Sequence, residues 1–231
     1  MGGLNLGWGL GDDPTSLRRN HREFAEAVGY RVEDLYQVQQ VHGSRVLNTT
    51  RWRGERGRSA TWPEADALWS RRPGDALAVR VADCVPVLLV DPDSGAAAAV
   101  HAGWRGVSAG VVAKAIRCLG GGRGLWAAVG PHIGPCCFEV GEEVVAQVLA
   151  GCPVGAEQTV ARRDWNGTKP HLDLGQAVRL QITGAGVDAG NIEVLGGCTC
   201  CEPDRFFSYR RDGSDAGRHL AVILPPGPGL R

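Results

Sequence analysis

The chain has no net charge, no long apolar segment and no methionine beyond Met1. Its 231 residues carry 25 basic and 25 acidic side chains, so the formal charge at pH 7 is zero. A balanced charge gives no long-range field that would gather nucleic acid or an anionic membrane around the protein. We therefore expect a small-molecule partner, with no nucleic acid and no membrane involved.

The N-terminal residues lack the basic region and the apolar stretch of a secretory signal. No segment approaches the about 18 consecutive apolar residues that a membrane-spanning helix needs. We expect a cytoplasmic protein that acts as a monomer or a homodimer.

The eight cysteines stand out in this composition. Reduced thiols are expected rather than a disulfide framework, because a chain of this length can bury a core and no secretory signal is visible. The adjacent pairs Cys136-Cys137 and Cys200-Cys201 would also make poor disulfides within each pair. The segment Cys198-Thr199-Cys200-Cys201 shows no second matching pair of the kind that zinc knuckles use, and we interpret it as structural.

Apolar periodicity predicts a single α+β domain over residues 1–231, with a mixed β-sheet core, interpreted as two packed sheets, flanked by helices. Strict alternation of strands and helices is absent, which disfavours a doubly wound sheet. Turn residues 91–95 lie between two strand-like runs and predict a hairpin. Residues 51–59 are basic and lack an apolar period, so they are predicted to form an exposed loop. The remaining predictions are strands at 34–41, 44–48, 76–81, 85–90, 96–100, 126–129, 192–195 and 220–224, and helices at 14–29, 142–149, 174–182 and after His101.

Three potential metal ligands follow apolar runs that are typical of buried strands. They are His42 in Gln40-Val41-His42-Gly43, Cys84 in Ala82-Asp83-Cys84-Val85-Pro86, and His101 at the start of His101-Ala102-Gly103-Trp104-Arg105-Gly106. Two imidazoles and one thiol form the set that leaves a fourth position open on zinc. Spacing alone does not separate this interpretation from three buried core residues, because no compact motif links them.

Four further residues are candidates for chemistry. Asp83 could act as a general acid or base or orient a ligand imidazole, although a carboxylate at a strand end also commonly binds backbone amides. Arg105 lies near a helix start and could hold phosphate, or could simply be exposed. Tyr209 and Arg210, in an aromatic and arginine-rich segment, could stack a flat ring and neutralise an anion. The alternative is that the aromatics of that segment face the core and its arginines pair with Asp212 and Asp215.

Taken together, these segments resemble the laccase-domain (YfiH-like) family, whose members are called polyphenol oxidases or purine nucleoside phosphorylases. The resemblance runs in order over nearly the whole chain and is most specific at His101-Ala102-Gly103-Trp104-Arg105-Gly106. The matching segments are Leu4-Asn5-Leu6-Gly7, Gly11-Asp12-Asp13-Pro14, Gln40-Val41-His42-Gly43, Ala65-Asp66-Ala67-Leu68, residues 82–88, residues 101–106, Gly130-Pro131-His132-Ile133-Gly134, residues 137–141 and residues 206–212.

The resemblance implies a catalytic zinc bound by His42, Cys84 and His101. It also implies phosphorolysis of adenosine, inosine and methylthioadenosine to the free base and ribose 1-phosphate, with adenosine deamination as a side activity. Within that reaction, our own hypotheses are that Arg105 or Arg210 positions the phosphate, that Tyr209 helps to bind the substrate and that Asp83 assists catalysis. Family members carry a strand and a Thr-Arg-x-Gly-Gly loop before Leu-Asn-Leu-Gly, so we expect either an upstream start or a domain without that first strand.

Two other enzymatic interpretations remain open. Copper could replace zinc in the same three ligands and support laccase-like oxidation, since Cu(II) binds such sites more tightly than Zn(II). A four-copper oxidase is disfavoured because the only methionine is Met1 and the remaining histidines, His21, His132, His171 and His219, are scattered. Alternatively, Cys84 could be the nucleophile and His101 its base in a peptidoglycan-editing amidohydrolase. A non-catalytic metal-binding module is the third possibility.

Overall fold

The computed structural model describes residues 3–55, 59–163 and 169–227, so residues 56–58 of the predicted 51–59 loop lie outside the described part. Residues 51–55 of that loop are exposed or half-buried. The α-helices are α1 Pro14–Val28, α2 Trp104–Ser108, α3 Val111–Leu119, α4 Glu142–Leu149, α5 Glu157–Val160, α6 Leu174–Gly184 and α7 Tyr209–Asp212. The strands are β1 Leu35–Tyr36, β2 Val46–Asn48, β3 Ala67–Ser70, β4 Ala76–Val81, β5 Val85–Asp91, β6 Ala96–Ala102, β7 Trp126–Val129, β8 Ala161–Arg162, β9 His171–Leu172, β10 Ile192–Val194 and β11 His219–Ile223.

Two mixed sheets form the centre of the domain. The larger has the order β10-β7-β5-β6-β3-β2 and the smaller the order β1-β4-β11. Parallel pairs occur in both sheets, at β1–β4, β2–β3 and β10–β7, beside antiparallel ones. The prediction of an α+β fold with a mixed, two-sheet core flanked by helices is confirmed.

The period-2 alternation of β5 and β6 divides the core into two layers. Val87 and Val100 are fully buried against helices α2, α3, α4 and α6 on one face of the larger sheet. Ala97 and Ala99 point to the other face and pack with Leu77 of β4, in the smaller sheet. Successive side chains of a strand point to opposite faces, so a strand buried on both sides needs the nearly continuous apolar sequence seen here.

Two predicted elements differ from the structure. The strand predicted over 34–41 is reduced to β1, because Gln40 uses its side chain instead of its backbone to pair with β4. Its amide donates to the carbonyl of Arg80 at 2.7 Å and accepts from the Arg80 N–H at 2.8 Å. The single helix predicted after His101 is divided into α2 and α3, where Gly110 adopts a left-handed φ of 73°.

No helix in the described residues has the length and apolar character to cross a membrane.

The crossing between the two sheets creates a concave corner. The chain leaves β4 of the smaller sheet at Val81 and enters β5 of the larger sheet at Val85, so Asp83 and Cys84 occupy the turn between them. The β5–β6 hairpin then returns through the predicted turn and places His101 opposite Pro86. A two-sheet architecture thus brings two of the predicted ligands to one corner.

Candidate metal centre and active site

The predicted ligands His42, Cys84 and His101 come together at this corner. Their ligand atoms all lie within 4.8 Å of one another. The two imidazole rings meet edge to face, with centroids 4.9 Å apart and planes at 80°. Zinc bonds of about 2.0–2.3 Å in a tetrahedron separate ligand atoms by about 3.3–3.8 Å, so small side-chain movements complete such a site. Two nitrogens and one sulfur therefore fit a metal with an open fourth position.

Backbone strain is concentrated at the same place. His42 has φ of 58° and Asp83 has φ of 91°, and no other non-glycine residue in the described ranges has a positive φ. Such conformations cost of order 1–3 kcal/mol and persist when surrounding contacts fix them. One of the two strained residues is the candidate ligand His42, and the other directly precedes Cys84.

Asp66 supplies the contacts that hold this geometry. It is fully buried, and its Oδ1 accepts hydrogen bonds from His101 Nδ1 at 2.9 Å and from the His42 N–H at 2.9 Å. Its Oδ2 accepts from the Gly43 N–H at 2.7 Å and the Val41 N–H at 3.3 Å. A carboxylate can only accept here, so Nδ1 of His101 carries the donated proton and Nε2 is the ring nitrogen that is placed to face a metal.

The sequence did not single out Asp66 as a functional residue. Its segment belongs to the family pattern, but nothing in its local spacing assigns it to His101. Burial raises the pKa of the Asp66 carboxyl, yet the hydrogen bonds from His101, Gly43 and Val41 outweigh that effect and hold the pKa below its usual range. Asp66 is therefore an anion that positions both the His42 loop and the His101 ring.

The Cys84 thiol is biased toward its ligand form. Burial raises its pKa, but the charge of His101 and hydrogen bonds from both imidazoles lower it to about 6. Burial lowers the pKa of His101, while the Cys84 thiolate and Asp66 raise it more strongly, to about 9. At neutral pH these values describe a thiolate beside a protonated imidazole, and a metal cation binding here would displace the Nε2 proton of His101.

A cavity of about 570 Å³ opens beside these ligands. This volume lies within the range of about 300–1,000 Å³ that is typical of small-molecule sites. Its wall combines aromatic rings with four guanidinium groups. The lining includes Trp8, Gln40, His42, Arg80, Asp83, Cys84, His101, Trp104, Arg105, Phe138, Tyr209, Arg210 and Arg218.

All the predicted catalytic and substrate-binding residues line this cavity, but their surroundings differ. Both oxygens of Asp83 are engaged, with the Thr199 hydroxyl at 2.6 Å and the Arg210 N–H at 2.6 Å. The Arg210 guanidinium donates to the carbonyls of Cys137 and Glu139. These contacts favour positioning roles for Asp83 and Arg210.

Arg105 and Tyr209 are left more accessible. The Arg105 guanidinium lies 4.3 Å from the centre of the Trp104 ring. Tyr209 keeps 57% of its surface exposed at the cavity wall. Both remain predictions as substrate-binding residues.

Arg80 and Arg218 are cavity residues that the sequence reasoning missed. The Nε of Arg80 is buried and has no hydrogen-bond partner among the described residues. Burial and the positive charge of Arg218 lower the pKa of Arg80 to about 10, which leaves it charged at neutral pH. Two neighbouring cations facing one cavity form a place where an anion would be stabilised. No sequence signal marks them, since Arg80 lies in β4 and Arg218 directly before β11, far apart in the chain.

Comparison with known proteins places this site in a family. Residues 1–225 match the family model described as multi-copper polyphenol oxidoreductase laccase. The chain belongs to this family. Purine nucleoside phosphorylase YlmD of Geobacillus stearothermophilus is 36% identical over 228 residues, covering 95% of this chain and 82% of that protein. Adenosine deaminase RL5, from an unknown prokaryotic organism, is 38% identical over 233 residues, covering 96% and 86% of the two chains.

The fold is shared as well. The crystal structure of YlmD from Geobacillus stearothermophilus superposes with a TM-score of 0.86 at 35% identity, covering 96% of this chain and 84% of that one. The predicted laccase-domain (YfiH-like) family is confirmed. Its laccase-like character and the His42–Cys84–His101 cluster together indicate a metal protein, and the family includes proteins named as purine nucleoside phosphorylases and as an adenosine deaminase.

The family model is described as multi-copper, but the described residues do not form several histidine-rich metal sites. Outside the triad, His21 hydrogen-bonds the Leu6 carbonyl and His171 the Pro135 carbonyl, while His219 accepts from the Phe207 N–H. Within the described ranges, the groups that could hold a metal are this triad and a set of four cysteines. Within those residues, one cluster has the two histidines and one cysteine of the predicted site, and the other consists of cysteines alone.

Proposed function

We propose that this protein is a zinc-dependent purine nucleoside phosphorylase that converts adenosine, inosine and methylthioadenosine to the base and ribose 1-phosphate, with adenosine deamination as a side activity. The observation that carries the proposal is the open His42–Cys84–His101 cluster in a cavity lined by aromatic rings and arginines. The names of the related phosphorylases and deaminase support the same substrate class. Zinc is assigned because this donor set is that of open catalytic zinc sites, and copper is the competing metal.

His42, Cys84 and His101 would hold the zinc ion, which supplies a Lewis acid able to polarise a substrate oxygen or nitrogen. Asp66 keeps the proton on Nδ1 of His101, so the ring presents its other nitrogen to the cluster. Trp104 and Tyr209, at the cavity wall, offer flat surfaces for the purine.

Phosphorolysis forms a bond between a phosphate oxygen and C1′ of the ribose, while the C1′–N9 bond breaks and its electron pair leaves with the purine. The phosphate must therefore be held close to the sugar, and the protein must offset the loss of part of its hydration shell. Arg80 and Arg218 suit this role because both charges are partly buried, and the hydrogen bonds that their guanidinium groups make in the described residues go to backbone carbonyls, among them those of Val38 and Gly217. Arg105, which is exposed over Trp104, is the alternative cation.

We expect purified protein to release adenine from adenosine only when inorganic phosphate is present, with ribose 1-phosphate formed in equal amount. The Arg218→Gln variant should raise the KM for phosphate by about 10-fold or more, in line with the loss of one charge-assisted contact, and leave the KM for adenosine nearly unchanged. Chromatography of reactions with and without phosphate measures both products.

Arg105→Gln is the matched control for that experiment. If it raises the phosphate KM while Arg218→Gln does not, Arg105 is the phosphate-binding residue. Inosine as the main product, independent of phosphate, would make deamination the principal activity. Absence of any product from adenosine, inosine and methylthioadenosine would refute the proposed substrate class.

A thiol-nucleophile mechanism is the second candidate, because Asp66, His101 and Cys84 are arranged like a catalytic triad. The Asp66 carboxylate holds Nδ1 of His101, and the other side of that ring faces the Cys84 thiolate. An amidohydrolase acting on a peptidoglycan precursor could use Cys84 as the nucleophile, His101 as the base and the Asp66 carboxylate to orient His101. Against it, the same thiol also contacts His42, a second imidazole that a nucleophile would not need.

Iodoacetamide distinguishes the two mechanisms. A metal-bound Cys84 thiolate should resist alkylation in the protein as purified and react at least about 10-fold faster after a chelator has removed the metal. Mass analysis of the tryptic peptide 81–105 reports on Cys84 alone, because that peptide contains no other cysteine. Rapid alkylation before chelation, unchanged afterwards, would support the nucleophile instead.

A further inference from the structure

A second group of sulfur atoms lies beside the active-site cavity. Cys136 and Cys137 belong to the loop after β7, and Cys198 and Cys201 to the turn that precedes α7. Their four Sγ atoms all lie within 4.8 Å of one another. The Sγ atoms of Cys137 and Cys201 are 3.2 Å apart, and those of Cys136 and Cys201 are 3.5 Å apart. The interpretation of residues 198–201 as a segment without a matching pair is therefore wrong, since Cys136 and Cys137 are that pair.

The separations suit a tetrahedral metal. Zinc–sulfur bonds of about 2.3 Å place the four sulfurs of a tetrahedron about 3.8 Å apart. This distance lies between the 3.2 Å that separates Cys137 and Cys201 and the 4.8 Å within which all four sulfurs lie. Cys198 and Cys201 also have the two-residue gap of a zinc knuckle. All four positions would be filled by protein, which is the pattern of structural rather than catalytic zinc.

The backbone around Cys198 is organised as it is in metal–thiolate turns. The Gly134 N–H donates to Cys198 Sγ at 3.2 Å, and the amides of Cys200 and Cys201 also point to that sulfur. The turn is closed by the Cys201 N–H, which donates to the Cys198 carbonyl at 3.1 Å. Glu202 fixes the other side, since its carboxylate accepts from the Cys198 N–H at 2.9 Å.

Gly134 lies where the two cysteine pairs approach each other. A Cβ at that position would lie 3.2 Å from Cys136 Sγ and 3.5 Å from Cys198 Sγ, inside the space between the two cysteine pairs. The chain therefore keeps open the centre of a cluster whose members come from segments far apart in sequence.

We propose that Cys136, Cys137, Cys198 and Cys201 bind a second, structural zinc ion. The site joins two loops that form one wall of the cavity. The Cys137 carbonyl accepts from the Arg210 guanidinium, and Thr199, inside the cysteine turn, donates to Asp83. The zinc would thus fix the positions of Arg210 and Asp83 at the cavity wall. This assignment stands whether or not the cavity binds purine nucleosides.

The test is the zinc content per chain, measured by inductively coupled plasma mass spectrometry on protein purified in reductant without added metal. We expect two zinc ions in the wild type, one in Cys201→Ser, one in Cys84→Ser and none in the double variant. Cys118→Ser, in α3 and outside both clusters, is the matched control and should retain two. Should Cys201→Ser fail to fold, Cys84→Ser decides: one retained zinc supports the second site, and none overturns it.

Cobalt provides a readout that is independent of total metal. Adding Co(II) to metal-free Cys84→Ser should give the intense sulfur-to-cobalt absorption of a four-thiolate site, and Cys201→Ser should lose most of that intensity. Iron in place of zinc in the purified protein would overturn the assignment to zinc. So would an intact mass lower by two hydrogen atoms under non-reducing conditions, because it would show a disulfide within the cluster.

Discussion

Replacing Cys84 with serine is expected to remove one equivalent of metal and to lower kcat/KM for adenosine phosphorolysis by at least about 1,000-fold, equivalent to about 4 kcal/mol of transition-state stabilisation. The cause is the loss of the thiolate: a serine hydroxyl is neutral at pH 7 and is a poor ligand for a borderline-soft metal. The turn that holds Cys84 lies at the cavity rather than in a core layer, so the fold should persist. Metal analysis, circular dichroism and steady-state kinetics check the three parts of this expectation.

The His42→Ala variant tests whether Cys84 acts as a metal ligand or as a nucleophile. His42 is exposed and would contribute a ligand in the metal mechanism, whereas a mechanism with Cys84 as nucleophile and His101 as base does not use it. Loss of metal and activity in both variants would therefore support the metal mechanism. Full activity in His42→Ala would contradict it, even if Cys84→Ser were inactive. Cys152→Ser, which alters a thiol outside both clusters, should match the wild type.

Two of the three ligands are brought together by features that can be seen in the sequence. The turn at residues 91–95 sets the register of the β5–β6 hairpin, and that register places the start of β5 beside the end of β6. Cys84 and His101 are thus neighbours by local geometry. Apolar runs also predict the central strands and helix α4 closely, because alternation and amphipathic spacing are local properties.

The rest of the site depends on contacts that sequence spacing does not encode. Asp66, directly before β3, meets His101 because β3 pairs with β6, and Arg218, directly before β11, comes near Arg80 because β11 pairs with β4. The four cysteines meet through two irregular loops with no periodicity at all. For the same reason the strand predicted at 34–41 is wrong beyond Tyr36: the side chain of Gln40, rather than its backbone, pairs with Arg80.

Asp66→Asn is expected to weaken metal binding by about 10- to 100-fold, the usual cost of losing a carboxylate that orients a ligand imidazole. Asp66 accepts four hydrogen bonds, from His101 Nδ1 and from the N–H groups of Val41, His42 and Gly43. An amide has one oxygen, so its NH2 group must face either the imidazole and His42 or the N–H groups of Val41 and Gly43. The first orientation favours protonation of His101 at Nε2, which removes the metal-binding lone pair. The second repels the loop that carries His42.

Competition with a chromophoric chelator measures the metal affinity of the variant. Thermal unfolding shows whether a weaker affinity merely reflects a general loss of stability. Asp75→Asn is the matched control, because Asp75 is also buried and accepts hydrogen bonds from Thr49 and Ser70 but lies outside the cavity. It should lower the melting temperature while leaving the metal affinity unchanged. Equal metal affinity in Asp66→Asn and the wild type would show that the His42 loop and the His101 ring hold their positions without the carboxylate. In that case the strained backbone at His42 and Asp83 would have to be sufficient to organise the centre.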